Sequence, residues 1–332
     1  MRSLSWFTFV GLLALSLTLG CSDDSSGGGA TGGSAGTGGG AGMGGAAGGE
    51  GGDGGSGPSF SADPPLVLAE DTRPASVTVP SDYDPEVTYP LLISLHGAGV
   101  NGRVQAGFFR LISVVDQQQF VLVYPDGINS VWNATDACCD PTQSVDDVGY
   151  ISSLIEEALA TYNTDPRRVY LMGHSNGAFL SFRMACERSD LITGIVALAG
   201  ATFENPEDCA PSELPVSALV VHGTDDPTVL FDGGDLLAPH PSAPTTVERV
   251  ATRAGCDLDD TTMLESLDLF EEWAGPETDR EVFNGCDDGL AVEFWTLQQA
   301  AGCTRSTCNP HIPVFNDEWA TRTTDWLFRL SR

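Results

Sequence analysis

The stretch Val169-Tyr-Leu-Met-Gly-His-Ser-Asn-Gly-Ala178 decides how this chain is read. Its first four residues are apolar and β-prone, enough for a buried strand. Its last residues open a run that suits a helix over 178–188. Between them, Gly173-His174-Ser175-Asn176-Gly177 fits the pattern G-x-S-x-G. A strand that turns sharply into a helix needs small residues on both sides of the turn, and the serine at its apex is pushed clear of the sheet. The helix start behind it supplies unpaired N–H groups for a developing oxyanion. The five-residue pattern alone is weak, because glycine and serine cluster by chance. The strand before it and the helix after it make it specific.

The rest of the chain repeats this alternation. Residues 75–79 alternate and read as an early strand. Tyr89-Pro-Leu-Leu-Ile-Ser-Leu95 is an apolar run ending at His96-Gly97, and Phe120-Val-Leu-Val-Tyr124 stops at the turn Pro125-Asp-Gly127. Both suit strands buried on two faces. A helix is expected from Ser144, which has capping-box spacing to Asp147. In it Val148, Ile151, Leu154, Ile155, Ala158 and Leu159 share one face. Residues 192–198 and 216–221 read as strands, 245–254 as a helix, 290–297 as the last strand and 318–330 as the last helix. Strands alternating with helices predict an α/β fold, a mostly parallel central sheet with helices on both faces.

A serine hydroxyl needs a base to become a nucleophile. In this arrangement an acid follows the serine in the chain, and the histidine comes last. The chain has five histidines. His96 ends one strand and His222 precedes another strand's exit loop, so both read as structural residues bonded within loops. His174 adjoins Ser175, and His240 sits in a Pro-rich loop soon after the expected acid. His311 alone lies between the last strand and the last helix, where it can reach back over the sheet. It is the expected base, with His240 the alternative. The acid is expected in His222-Gly-Thr-Asp225-Asp226-Pro227. Asp226 is preferred because Pro227 holds the residue before it extended, while Asp225 suits a turn. The acid would fix the histidine tautomer and stabilise the imidazolium. The oxyanion donors expected are the backbone N–H groups of Asn176 and of Ala98, in the Gly-rich turn His96-Gly97-Ala98-Gly99. Activity should rise from acid toward neutral pH as a histidine base loses its proton, ordinarily near about 6.5.

The N-terminus carries a different message. One Arg, a 16-residue apolar run and Gly20-Cys21 read as an export signal over residues 1–21. The run is short for a membrane span. Cys21 after Gly20 resembles the bacterial lipoprotein signal, with Thr18 and Leu19 departing from its usual residues. Residues 22–63 read as a Gly-rich disordered linker, since residues 27–57 include 19 glycines and cannot offset their chain entropy by burial. A coil of that length spans about 30 Å, enough to hold residues 64–332, the catalytic domain, clear of a membrane.

Composition removes whole function classes. Asp and Glu number 46 against 15 basic residues, all Arg, for a net charge of −31. Such a surface repels phosphate backbones and anionic headgroups, so no nucleic acid partner is expected, and a membrane only through Cys21. An acidic, Lys-free surface also suits salty surroundings. Beyond Cys21 there are eight cysteines, an even number that suggests disulfides in an exported protein. Local spacing favours Cys303–Cys308, and Cys256–Cys286 would close the segment between a helix and a strand. No Cys-x-x-Cys occurs, the histidines are poorly spaced and Cys138–Cys139 is vicinal, so no metal site is expected; a serine, histidine and aspartate mechanism needs no cofactor.

Together these residues resemble the secreted esterases known as polyhydroxybutyrate depolymerases and feruloyl or acetylxylan esterases. The likeness runs through residues 91–97, Tyr124-Pro-Asp-Gly127, Trp132-Asn-Ala134, Val145-Asp-Asp-Val-Gly-Tyr150, Asp165-Pro-Arg-Arg-Val-Tyr170, the serine turn and His222-Gly-Thr-Asp-Asp-Pro227. It implies an α/β-hydrolase fold with Ser175, Asp226 and His311 as the triad. It implies an extracytoplasmic serine carboxylesterase, anchored or secreted, acting on polymer-borne feruloyl or acetyl esters, with polyester depolymerisation as the alternative; a monomer is expected. A binding protein on an inactive hydrolase scaffold is the alternative of another class. Around the base the sequence departs from the family. Cys308-Asn-Pro-His311-Ile-Pro-Val stands where Gly-Gly-Gly-His and Trp-Pro are frequent, so Trp132, Trp295 or Phe315 would have to line the cleft instead, Trp295 being better suited to the core.

Overall fold

The apolar runs become the middle of one ten-stranded sheet in the computed structural model, which describes residues 59–209, 214–271, 273, 275–298 and 309–332. Its strands are β1 (Val67–Leu68), β2 (Ala75–Thr78), β3 (Tyr89–Leu95), β4 (Val121–Pro125), β5 (Thr164–His174), β6 (Gly194–Leu198) and β7 (Ser217–Gly223). After a separate two-stranded ribbon, β8 (Gly234–Asp235) and β9 (Pro239–His240), come β10 (Asp257–Leu267), β11 (Thr278–Asn284) and β12 (Val292–Leu297). The order is β1-β2-β4-β3-β5-β6-β7-β12-β11-β10. Pairing is parallel from β4 to β12 and antiparallel at both flanks.

Strand alternation splits the core into two layers. Leu91, Ile93 and Leu95 of β3 face one way, with helices α3 (Asp147–Thr161), α4 (Asn176–Glu187) and α5 (Ala243–Arg253). Leu92 faces the other way, with α1 (Gly102–Phe108), α2 (Leu111–Gln118) and α6 (Glu318–Phe328). The register decides where chemistry can occur. Leu95 pairs with Gly173, His174 with Leu198, Leu198 with Val221, and Gly223 with Leu297. Five strands therefore end level, and the loops that follow them share one edge.

Several elements differ from expectation. The third helix is capped by Asp146, whose carboxylate accepts from Gly149 N–H at 2.8 Å, and not by Ser144, whose hydroxyl bonds Thr142. Helices α1 and α2 were not anticipated, although Leu111, Val114 and Val115 are buried at helical spacing. Strand β10 went unread for a physical reason: nine of its eleven residues are exposed, so no buried face stamps a period on it. Disulfides join Cys186 to Cys209, Cys256 to Cys286, and the neighbours Cys138 and Cys139. The expected Cys303–Cys308 pair, Cys21 and the glycine tract lie outside the described residues.

Candidate active site

Ser175 sits at the junction of β5 and α4 with φ 52° and ψ −120°, a left-handed backbone that a residue other than glycine rarely adopts. The flanking glycines make this turn possible. A Cβ on Gly173 would overlap the Gly177 carbonyl, and one on Gly177 would overlap the carbonyl of Leu95. The turn is therefore packed against β3 with no space for a side chain on either glycine.

The loop after β7 brings Asp226 under His311. Their Oδ2 and Nδ1 atoms are 2.9 Å apart, and both residues are buried. The other oxygen, Oδ1, accepts from the N–H groups of Thr228 and Val229. Asp226 thus makes the turn itself, the role that suited Asp225, while Asp225 stays partly exposed. Burial alone would raise the Asp226 carboxyl. The hydrogen bond and charge of His311, with smaller help from His222 and the Thr228 N–H, outweigh it and hold the group below the ordinary aspartate value. Because Asp226 accepts from Nδ1, the Nε2 of His311 is the nitrogen left for proton transfer.

His311 and Ser175 line one cavity of about 560 Å³, with Gly97, Ala98, Gln105, Phe108, Arg110 and His174 among its walls. His311 is held from behind. Its carbonyl accepts from His174 Nε2 at 2.7 Å, and the two rings lie 5.0 Å apart. Burial, then the neighbouring His311, pushes the His174 imidazole down to about 3. Further along the His311 loop, Arg110 donates from Nε to the Phe315 carbonyl and pairs with Asp317 and Glu271. Of the other histidines, His222 lies 3.8 Å from Asp226 Oδ2 but gives its Nε2 to the Val229 carbonyl, His240 faces the Pro241 carbonyl and Phe179, and His96 bridges Gly97 and Gly127.

Among the described residues, the Ala98 N–H has no partner, and Asn176 opens α4, where a helix start leaves N–H groups free. The Asn176 side chain turns away, exchanging hydrogen bonds with both the N–H and the carbonyl of Trp132. Of the three aromatics suggested for the cleft, Phe315 lines it. Trp132 and Trp295 are wholly buried, the first packed against His96 and the second bonded to Glu293. The walls that sequence reasoning missed come mainly from α1 and from residues 312–314; only the spacing of Val100 and Val104 hints at them.

A parallel sheet sandwiched by helices, with a serine on the turn leaving its central strand, defines an α/β-hydrolase. Residues 78–243, half of the chain, match the phospholipase/carboxylesterase family, and the chain belongs to it. It is 28% identical over 224 residues to the proposed esterase NocK of Nocardia uniformis subsp. tsuyamanensis, covering 63% of each chain. It is 27% identical over 166 residues to feruloyl esterase C of Emericella nidulans, covering 48% of this chain and 57% of that one. It is 31% identical over 156 residues to the bifunctional acetylxylan esterase/xylanase XynS20E of Neocallimastix patriciarum, covering 46% and 21%. The chain thus spans less than two thirds of the length of these relatives. The solved structure of a thermostable esterase superposes with a TM-score of 0.51 at 19% identity, covering 78% of this chain and 59% of that one, a likeness of fold.

Proposed function

We propose that the chain is an exported serine carboxylesterase working through Ser175, His311 and Asp226. The observation that carries this reading is the 2.9 Å contact of Asp226 with His311 at a cavity whose wall includes Ser175. Ser175 Oγ attacks the ester carbonyl carbon as His311 Nε2 takes its proton. The ester C–O bond breaks, and His311 returns that proton to the departing alcohol. Water then attacks the acyl-enzyme, losing a proton to His311, and the acid leaves as Ser175 recovers its hydrogen. Asp226 keeps Nδ1–H oriented and offsets the imidazolium charge, while the N–H groups of Ala98 and Asn176 receive the oxyanion. No step calls for a cofactor. Comparing wild type with Ser175→Ala on p-nitrophenyl acetate tests this: activity retained in the variant refutes it.

The substrates proposed are feruloyl or acetyl esters borne by polysaccharides, in keeping with the names of the relatives. One observation favours polyhydroxyalkanoate as a second reading. Val100, Val104, Ile312 and Val314 all line the cavity yet stand exposed, an apolar rim suited to a polyester surface. Rates on feruloyl, acetyl and hydroxybutyrate esters separate the two. We place the enzyme, as a monomer, outside the cytoplasm, with a signal at residues 1–21, a lipid on Cys21, a linker to residue 63 and the catalytic domain at 64–332. The three disulfides among the described residues suit an oxidising compartment. Cys21→Ala should move the protein from the membrane to the soluble fraction.

A further inference from the structure

The direction of one peptide plane decides whether Ala98 can serve as an oxyanion donor. In a trans peptide the carbonyl of residue 97 and the N–H of residue 98 point opposite ways. Whatever holds the Gly97 carbonyl therefore aims the Ala98 N–H.

His96 holds it. The His96 Nδ1 lies 2.8 Å from the Gly97 carbonyl, and the His96 Nε2 lies 2.7 Å from Gly127 N. An amide N–H only donates, so Nε2 must be the bare, accepting nitrogen. Nδ1 therefore carries the hydrogen and donates it to Gly97. The ring is wholly buried, tilted against Trp132 at 4.7 Å between ring centres, and the Trp132 Nε1 donates to the His96 carbonyl. The other side of Gly97 is held by Gln105 of α1. Gly97 N–H lies 3.1 Å from Gln105 Oε1, which fixes the amide orientation by the same donor argument. Gln105 is 1% exposed and its Nε2 has no partner among the described residues, so its position is set by the bond to Gly97 and by packing. Beyond Ala98, Gly99 N–H donates to the Ser130 carbonyl.

We infer that His96 and Gln105 are positioning residues, a two-sided clamp on Gly97 that aims the Ala98 N–H at the oxyanion. The inference rests on the Ser175 reading above and adds to it. His96 is not among the cavity-lining residues, and Gln105, although part of the cavity wall, is 1% exposed with its amide oxygen turned to Gly97. Their effect passes through one backbone donor, so it falls on the transition state and not on ground-state binding.

The test uses kcat and KM on p-nitrophenyl acetate, together with inhibition by a short alkylboronic acid whose tetrahedral adduct occupies the oxyanion position. His96→Ala and Gln105→Met each remove one hold. His96→Asn keeps a donor near the place of Nδ1, and Gln105→Glu keeps the acceptor for Gly97 N–H. Loss of one oxyanion donor costs about 10²–10³ in kcat, so the deleting variants should lose about 30-fold or more in kcat and in boronate affinity, with KM within about threefold. The conservative variants should recover most of both. The inference falls if the deleting variants keep kcat within threefold of wild type, or if the conservative variants fall equally far. Should His96→Ala not fold, the Gln105 pair decides alone. Ser175→Ala in the same assay separates the two failures: an active Ser175→Ala overturns the enzyme reading, whereas an inactive one beside a fully active Gln105→Met overturns only the clamp.

Discussion

Acid should destabilise this protein in part through His174. The ring is 6% exposed and its Nε2 donates to the His311 carbonyl, so the folded state holds it neutral with a value near about 3. In the unfolded chain it titrates near about 6.5. The folded value is depressed for a base, so the unfolded state takes up the proton first as pH falls. Stability from this residue is full above about 6.5 and declines as pH drops toward about 3. At 1.36 kcal/mol per pH unit, the loss is about 2 kcal/mol at pH 5 and somewhat over 4 kcal/mol at pH 3. His174→Gln keeps a donor near the position of Nε2 and cannot titrate. Urea unfolding at pH 7 and pH 5 should show wild type losing about 2 kcal/mol more than the variant over that step. His222 and His96, also pushed down by burial, leave the variant a residual slope of the same sign. Wild-type and variant stabilities that run parallel from pH 7 to pH 5 refute the reasoning.

Other outcomes follow from single contacts. Gly177→Ala forces a methyl into the Leu95 carbonyl and should cost about 2–3 kcal/mol or abolish soluble expression, whereas Gly107→Ala, with open space around it inside α1, should raise stability by about 0.5–1 kcal/mol in thermal melts. Glu277 is raised by burial and has one oxygen without a partner, so its ionisation costs folding free energy increasingly as pH rises above the ordinary glutamate value. Glu277→Gln should therefore stabilise by about 1 kcal/mol at pH 7 and not at pH 4. Asp226→Asn should cut kcat about 10⁴-fold while leaving KM near that of wild type, read by steady-state kinetics on p-nitrophenyl acetate. Arg110→Ala frees the Phe315 carbonyl and two carboxylates beside the His311 loop; kcat should fall about tenfold, and Arg110→Lys, lacking the planar fork, should recover little of it.

The local rules of the chain determined most of the frame. Continuous apolar runs at 89–95, 169–172 and 216–221 can only be strands covered on two faces, and Gly-His-Ser-Asn-Gly between a strand and a helix has few other uses. The chain order of serine, aspartate and histidine narrowed five histidines to His311 because only one lies after the last parallel strand. Elements whose form comes from distant partners were not legible: exposed β10 is a strand because β11 pairs with it, and α1 forms against β3 and β4. Pro227 already favoured Asp226 over Asp225; only the tertiary structure brought Asp226 to His311, made Trp132 core and Phe315 wall, and showed that His174 and Arg110 hold the His311 loop. Spacing along a chain specifies which face a residue takes, but which two loops meet above a sheet depends on strand order and register, and those are settled by pairings between distant segments, from Gly194 with Ser217 to Leu91 with Val169.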